Sequence, residues 1–443
     1  MSCIHLKPGV TDLGTVAVRG GREPDPTTGA IIAPIVQSAT YVQRGVGLDL
    51  GHTYSRCSNP TVDGLERALG ALEDSPAAVC YSSGLAAVHA LLLSTLSAGE
   101  HVIVSDVVYG GTYRLLTEVL ARFGVSASFV DTADAGAVAG AIRPTTRLIL
   151  IETPANPTLK LTDVAAVVAV ARRAGVLLAV DNTFLTPVGL RPLDLGADVS
   201  VYSTTKYIDG HNTSIGGALV SRDEGLLEKF RFIRKTVGSI QAPHDAWLTL
   251  RGLTTLPLRL RRHSESAQVV AEWLEGRDEV ERVLYPGLAS FPQAELAARQ
   301  HALHAGIIAF ELRGGEGAGR TLMNSVRLCA LAESLGSAET LITHPATMTH
   351  GSIPRASRQA AGISDGLVRL SVGLEDPAEV IADLDQAIAI GVEAGVRLGH
   401  VVERKSVGGT SISAVVTAVT AVTAVPAATA ATAQSGGVAC RTR

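Results

Sequence analysis

The chain has 443 residues, of which 46% are hydrophobic and 18% charged, with 38 basic against 42 acidic side chains and a formal net charge of -4. That composition excludes a disordered chain, supplies apolar surface for a large core and more than one domain, and gives a nucleic-acid role no electrostatic support. Cys3, Cys57, Cys80, Cys329 and Cys440 lie far apart with no Cys-x-x-Cys pair, so neither a disulfide framework nor a metal site is indicated.

The first residues lack a charged segment followed by an apolar core, so no secretory signal is read and a reducing cytoplasm is expected. Residues 1–60 are rich in Gly, Pro and Thr without sustained periodicity and read as an extended arm. Within it, Tyr54 and Arg56 are two residues apart and point the same way on an extended segment. Such a pair of donors suits a phosphate; two exposed loop residues are the plainer alternative.

A helical pattern over 62–72 leads to a short strand over 77–80, then Ser82-Ser83-Gly84, then a helix over 85–96. A strand, a Ser-Gly turn and a helix opening make an anion site, because free amides and the positive end of the helix dipole converge there. Ser and Gly also end strands without binding anything. A strand over 101–105 follows, ending at Asp106, and then Tyr109-Gly110-Gly111. An aromatic beside two glycines can lie against a planar ligand, or can simply pack in its loop. A strand over 147–151 opens into Glu152-Thr153-Pro154-Ala155-Asn156-Pro157, and a helix over 164–174 leads back to the next strand. Strands and helices alternate from 77 to 220, which predicts a mostly parallel sheet with both faces covered.

The run 176–180 is continuously apolar and ends at Asp181, the pattern of a parallel strand buried on both faces. The run 199–202 does the same and delivers Ser203, Thr205 and Lys206 to the same edge. Ligands of open α/β sheets bind beyond the carboxyl ends of the strands. A lysine partnered there by an aspartate points to a Schiff-base lysine and a carboxylate that keeps a pyridinium nitrogen protonated. His211, alone in a turn, reads as structural.

A second α/β segment is expected over 256–396, with strands at 306–312 and 367–371. Arg259, Arg261 and Arg262 read as a solvated or subunit-facing surface. The glycines from Gly315 to Gly319 lack the Lys-Ser/Thr ending of a nucleotide loop and read as a strand-to-helix turn. Arg369 lies inside an apolar strand and needs an anion, either a substrate carboxylate or a structural ion pair. From 406 the chain is Thr-Ala-Val low complexity; its uncharged run raises a membrane span, but its Thr, Gly and Ser content and Pro426 weaken that, so a disordered or weakly interacting tail is expected.

Nine segments taken together resemble the Cys/Met-metabolism family of pyridoxal-phosphate enzymes, which includes cystathionine γ-synthase, cystathionine γ-lyase, methionine γ-lyase and the homoserine-ester sulfhydrylases. They are Tyr-Ser-Arg-x-x-Asn-Pro-Thr (54–61), Ser-Ser-Gly-Leu-Ala-Ala (82–87), Tyr-Gly-Gly-Thr (109–112), Glu-Thr-Pro-Ala-Asn-Pro (152–157), Val-Asp-Asn-Thr-Phe (180–184), Ser-Thr-Thr-Lys-Tyr (203–207), Ala-Glu-Ser-Leu-Gly (332–336), His-Pro-Ala-Thr-Met-Thr-His (344–350) and Arg-Leu-Ser-Val-Gly-Leu-Glu-Asp (369–376). The resemblance implies an α/β fold of the fold type I, aminotransferase-like kind, with a mostly parallel central sheet and a smaller C-terminal α/β domain. It implies an arm at 1–60, a cofactor domain at 61–255 and a C-terminal domain at 256–400, with the tail at 401–443 outside the match. The assembly implied is a homotetramer built from two dimers, with no nucleic-acid or membrane partner.

The same resemblance implies pyridoxal 5'-phosphate held through an imine to Lys206, with Asp181 on the ring nitrogen and Tyr109 stacked on the ring. Gly84, Leu85, Ser203 and Thr205 would hold the phosphate, joined by Tyr54 and Arg56 of a neighbouring subunit. Arg369, Asn156 and Ser334 would bind the substrate carboxylate. Lys206, freed by the substrate amine, would remove the α-proton in a γ-elimination or γ-replacement. Gly111 stands where methionine γ-lyases carry a reactive Cys, and Glu333 stands where the cystathionine enzymes receive a distal ammonium, which favours cystathionine chemistry. Thr53 in place of an acid before the arm tyrosine speaks against it; Leu85 in place of a frequent Met bears on packing. A homoserine-ester sulfhydrylase is the runner-up, followed by a methionine γ-lyase. A nicotinamide-dependent oxidoreductase lacks its Gly-x-Gly-x-x-Gly turn, and a non-catalytic scaffold is disfavoured by intact Lys206, Asp181, Tyr109 and Arg369.

Overall fold

Aliphatic and β-branched runs build the first sheet of the computed structural model, which describes residues 12–351 and 355–390. The expected tail at 401–443 lies outside the described residues. Strands β1 (Ala78–Tyr81), β2 (His101–Ser105), β3 (Ser126–Val130), β4 (Thr146–Glu152), β5 (Leu177–Asp181), β6 (Val199–Tyr202) and β7 (Gly217–Val220) lie in the order β1-β7-β6-β5-β4-β2-β3. Neighbours are parallel except around β7, which runs antiparallel to β1 and β6.

Successive side chains on a strand face opposite ways. Ile103, Ile149, Ile151, Leu178 and Val180 therefore feed one buried cluster, while Val102, Val104, Leu148, Leu150, Ala179 and Val201 feed the other. Helices Pro60–Leu72 and Val164–Ala174 seal the first face, and helices Gly84–Thr95 and Glu224–Val237 the second. Local signals place these helices: Asp163 accepts the Ala166 amide at 3.0 Å to open Val164–Ala174, and Gly175, with φ of 65°, ends it.

The second sheet comprises β8 (Val280–Leu284), β9 (Ile307–Leu312), β10 (Ala330–Leu331), β11 (Leu341–Thr343) and β12 (Leu367–Ser371), in the order β10-β11-β12-β9-β8. It is antiparallel apart from the β10–β11 pair. Its buried residues Ile308, Phe310, Val368 and Leu370 join the same apolar cluster as the first face of the larger sheet.

Three readings of the sequence change. The arm is not wholly extended, since Leu13–Arg19 is helical, opened by Asp12 and burying Val16 and Ala17. Gly315 to Gly319 begin the helix Gly315–Ser325 rather than forming a separate turn, because the bend is made by Gly314, with φ of 105°. Arg259 is not on the surface: it is buried and donates to the carbonyls of Tyr207 (2.8 Å), Ile208 (3.3 Å) and Gly252 (2.8 Å). Arg261 and Arg262 are exposed as expected. No helix among the described residues is long and apolar enough to cross a membrane.

Behind the carboxyl ends of β5 and β6 lies a buried acid. Glu73 accepts the Tyr202 hydroxyl, which accepts Asn182 Nδ2 at 3.1 Å, and burial pushes the Glu73 carboxyl up from 4.5 to about 7. A carboxyl whose folded pKa is raised stabilises the fold below its unfolded value and loses that contribution as pH rises through the folded one. Folding stability should therefore drop by roughly 3 kcal/mol between about pH 4.5 and about pH 8 through this group alone. Urea unfolding of wild type and Glu73→Gln at both pH values should show a shallower loss in the variant; equal losses would remove Glu73 as the cause.

Candidate active site

The carboxyl ends of β1, β4, β5 and β6 open onto a cavity of about 280 Å³, closed on its other side by β12 and the segment around Ser334. Gly84, Leu85, Tyr109, Asn156, Asp181, Ser203, Thr205, Lys206, Glu333, Ser334 and Arg369 all line it.

One end is set by the helix Gly84–Thr95. Ser83 caps it, its hydroxyl accepting the Ala86 amide at 3.1 Å, which leaves the amides of Gly84 and Leu85 facing the cavity end. A Cβ on Gly84 would stand 2.7 Å from Ser203 Cβ, so only glycine allows the β6 exit this close to the helix start. Thr205 is braced in the turn, its hydroxyl donating to the Gly216 carbonyl (3.2 Å) and accepting the Gly216 amide (3.0 Å). Free amides, the Ser203 hydroxyl and a helix start make this end of the cavity suited to an anion, while the Thr205 proton is directed to the Gly216 carbonyl.

The floor carries two acids. Glu152 and Asp181 are register partners on adjacent parallel strands, and both are pushed up by burial, Glu152 to about 8 with the Asp181 charge as the second cause. Thr183 donates its hydroxyl (2.6 Å) and amide (3.1 Å) to Asp181 Oδ1 and accepts the Ser203 amide at 2.9 Å, tying the β5 exit to the β6 exit. Both Thr183 bonds fall on Oδ1, and Oδ2 of Asp181 accepts no hydrogen bond among the described residues.

Lys206 lines the same cavity. Its Nζ donates to Ser334 Oγ at 3.0 Å, and its pKa is pushed down to about 8 by burial and the Arg369 charge, with Glu333 opposing. Arg369 is buried, donating Nη1 to Asn156 Oδ1 at 2.9 Å and Nη2 to the Ser334 carbonyl at 2.7 Å. Its Nε has no partner, and no carboxylate among the described residues forms an ion pair with it, so the structural-pair alternative fails. A buried guanidinium without a paired acid is chemically suited to take one from a ligand. Ser334, which serves both cations, holds φ of 97°, a strained value for a residue with a side chain.

Tyr109 is half exposed, and its ring lies over Gly111, where a Cβ would come within 2.5 Å of Cε1. Tyr54 and Arg56 do not reach this chain's cavity: Tyr54 is 46% exposed and the Arg56 guanidinium sits 5.6 Å over its ring. His211 is exposed and rests against the Asp209 carbonyl, away from the cavity lining. The sequence had not marked Glu152 or Thr183 as site residues, although each stands at a strand exit, Thr183 two residues after Asp181 on the same side.

The model for Cys/Met metabolism PLP-dependent enzymes matches residues 14–389. The chain is 46% identical over 381 residues to the cystathionine gamma-synthase of Mycobacterium tuberculosis, covering 86% of this chain and 97% of that one. It is 44% identical over 374 residues to the cystathionine gamma-lyase of Bacillus subtilis, covering 84% and 98%. The crystal structure of cystathionine gamma synthase from Xanthomonas oryzae pv. oryzae in complex with aminoacrylate and cysteine superposes with a TM-score of 0.84 at 41% identity, covering 86% and 99%. With the family match spanning most of the chain and the fold shared at this identity, the protein belongs to the Cys/Met metabolism PLP-dependent enzymes.

Proposed function

We propose that the protein makes or cleaves cystathionine, working at Cγ of a sulfur amino acid or homoserine ester with Lys206 as its base. The observation that carries this reading is one cavity holding a depressed-pKa amine, a buried acid and a buried guanidinium with no carboxylate within ion-pair distance among the described residues.

The residues fit pyridoxal 5'-phosphate. The amides of Gly84 and Leu85 with Ser203 and Thr205 would hold its phosphate, Asp181 its ring nitrogen, Tyr109 its ring face and Lys206 its carbonyl carbon. Bound there, the cofactor supplies an electron sink for charge developing at substrate Cα. The chain's own groups do the rest. Arg369, with Asn156 and Ser334, binds the substrate carboxylate and so fixes Cα near Lys206. Lys206 Nζ, deprotonated in good part near its pKa of about 8, takes the Cα proton and then handles the Cβ proton whose loss expels the Cγ group. Glu333, at the cavity wall, receives the distal ammonium of cystathionine.

The proposed division of labour is a cofactor-bearing part over 61–255 and a substrate-carboxylate part over 256–400, in a homotetramer within the cytoplasm. Exposed Ile31, Val42, Val46 and Leu48 in the arm support a neighbouring copy as their cover. Arg56→Ala and Lys206→Ala should each be inactive alone, yet mixing and reassembling them should restore up to about a quarter of the wild-type sites; no recovery would place Arg56 outside a shared site.

Product analysis separates the activities. The purified protein is to be given L-cystathionine, and separately O-acetyl- and O-succinyl-L-homoserine with cysteine or sulfide. Cysteine and 2-oxobutanoate from cystathionine, or cystathionine from the ester and cysteine, support the reading. Homocysteine from ester and sulfide alone would replace it with a sulfhydrylase, and methanethiol from methionine with a methionine γ-lyase.

A further inference from the structure

Two neighbouring segments line the cavity, the one after β2 carrying Tyr109 and the one after β4, the adjacent strand, carrying Asn156. Glu152 joins them. Its Oε2 accepts the Tyr109 amide at 2.9 Å and its Oε1 accepts the Asn156 amide at 3.0 Å. Asn156 in turn holds Arg369 through its side chain at 2.9 Å. One carboxyl group thus links Tyr109 to the Asn156–Arg369 pair.

The choice of an acid here is unfavourable in itself. Glu152 is 6% exposed, and it stands beside Asp181 at the same level of the sheet, so burial and a like charge both oppose its ionisation. A serine or asparagine would avoid that repulsion, but neither offers two acceptor oxygens a carboxylate's width apart. The two amides are what distinguish a carboxylate from its substitutes at this position.

We propose that Glu152 is a positioning residue, which by holding the Tyr109 and Asn156 amides on its two oxygens fixes the spacing between the ring-stacking wall and the carboxylate-binding wall. It acts through Tyr109 and through the Asn156–Arg369 pair, and it rests on the cofactor and substrate reading given above. Glu152→Gln preserves volume but turns one acceptor into an NH2 group, which releases one wall. Glu152→Asp keeps both acceptors on a shorter stem.

The test uses the holoenzyme with L-cystathionine, following KM and kcat, the visible circular dichroism of the bound cofactor, and hydrogen exchange at the two amides. In Glu152→Gln, KM should rise by about tenfold or more and the cofactor's dichroic band should change, with thermal midpoint and cofactor content near wild type. Glu152→Asp should recover most of the KM. In an Asn156→Ala background the same Glu152→Gln change should raise KM by less than about threefold, because the link to Arg369 is already cut. An unchanged KM and dichroic band in Glu152→Gln would overturn the proposal, as would an effect of full size in the Asn156→Ala background. Should Glu152→Gln fail to fold, Glu152→Asp decides: near wild-type KM with both amides protected supports the role, and loss of KM with both amides still protected overturns it. Wild-type protein that binds no pyridoxal phosphate or leaves cystathionine intact would overturn the functional reading first, whereas active wild type with an indifferent Glu152→Gln sinks this inference alone.

Discussion

Lys206→Ala is expected to abolish turnover, by on the order of 10⁴-fold or more, while leaving the fold intact. The amine is 3.0 Å from Ser334 Oγ and mostly buried, so alanine removes a desolvated cation and leaves one hydroxyl to find water. Stability should hold or rise slightly. Treatment with borohydride should fix pyridoxal phosphate covalently on the wild type, detected as added mass on the peptide containing position 206, and should fix none on the variant. Equal covalent retention in both proteins would move the anchoring amine elsewhere and dismantle the site as described.

Arg369→Met should separate binding from folding. The guanidinium has no carboxylate partner within the described protein, and burial alone pushes its pKa down to about 10. Removing a buried cation that has no paired acid relieves its desolvation cost, against the lost hydrogen bonds to Asn156 Oδ1 and the Ser334 carbonyl, so the fold should hold with little net change in stability. Substrate binding should weaken, with KM for the amino acid rising by about a hundredfold or more. A third consequence fixes the sign of a pH effect: the Arg369 charge helps hold Lys206 at about 8, so its removal should carry the lysine pKa upward. The acidic limb of the kcat profile, which reports the complex in which substrate has freed the Lys206 amine, should then shift to higher pH. A variant of unchanged KM, or one that unfolds, contradicts the account of Arg369 as a receptor for an incoming acid.

The strands and their exits were legible because parallel strands buried on both faces read as unbroken aliphatic runs, and the run before Asp181 and the run before Ser203 both stop where the sheet meets the cavity. The second sheet was harder. β10 and β11 have two and three residues, too short for any periodicity to register. Glu152 carried no signal of its role because its partners are main-chain amides, one of them 43 positions earlier in the chain. Arg259 did carry a signal that charge concealed. It falls three residues after Leu256 and four before His263, both buried, so helical spacing alone turns it inward with them. Whether Tyr54 and Arg56 complete a site depends on a second copy of the chain, and no pattern within one copy encodes where its neighbour stands.

Arg259 also determines how the reactive nitrogen can travel. Two main-chain oxygens directly after Lys206, and a third in the helix Pro243–Leu253, are held by one planar group rooted in the long helix Leu256–Glu275, so the peptide platform under the lysine is splinted from behind. Reach toward successive carbons of a bound amino acid is then supplied by rotation about the four side-chain bonds, with no hinge or flap needed to ferry each proton.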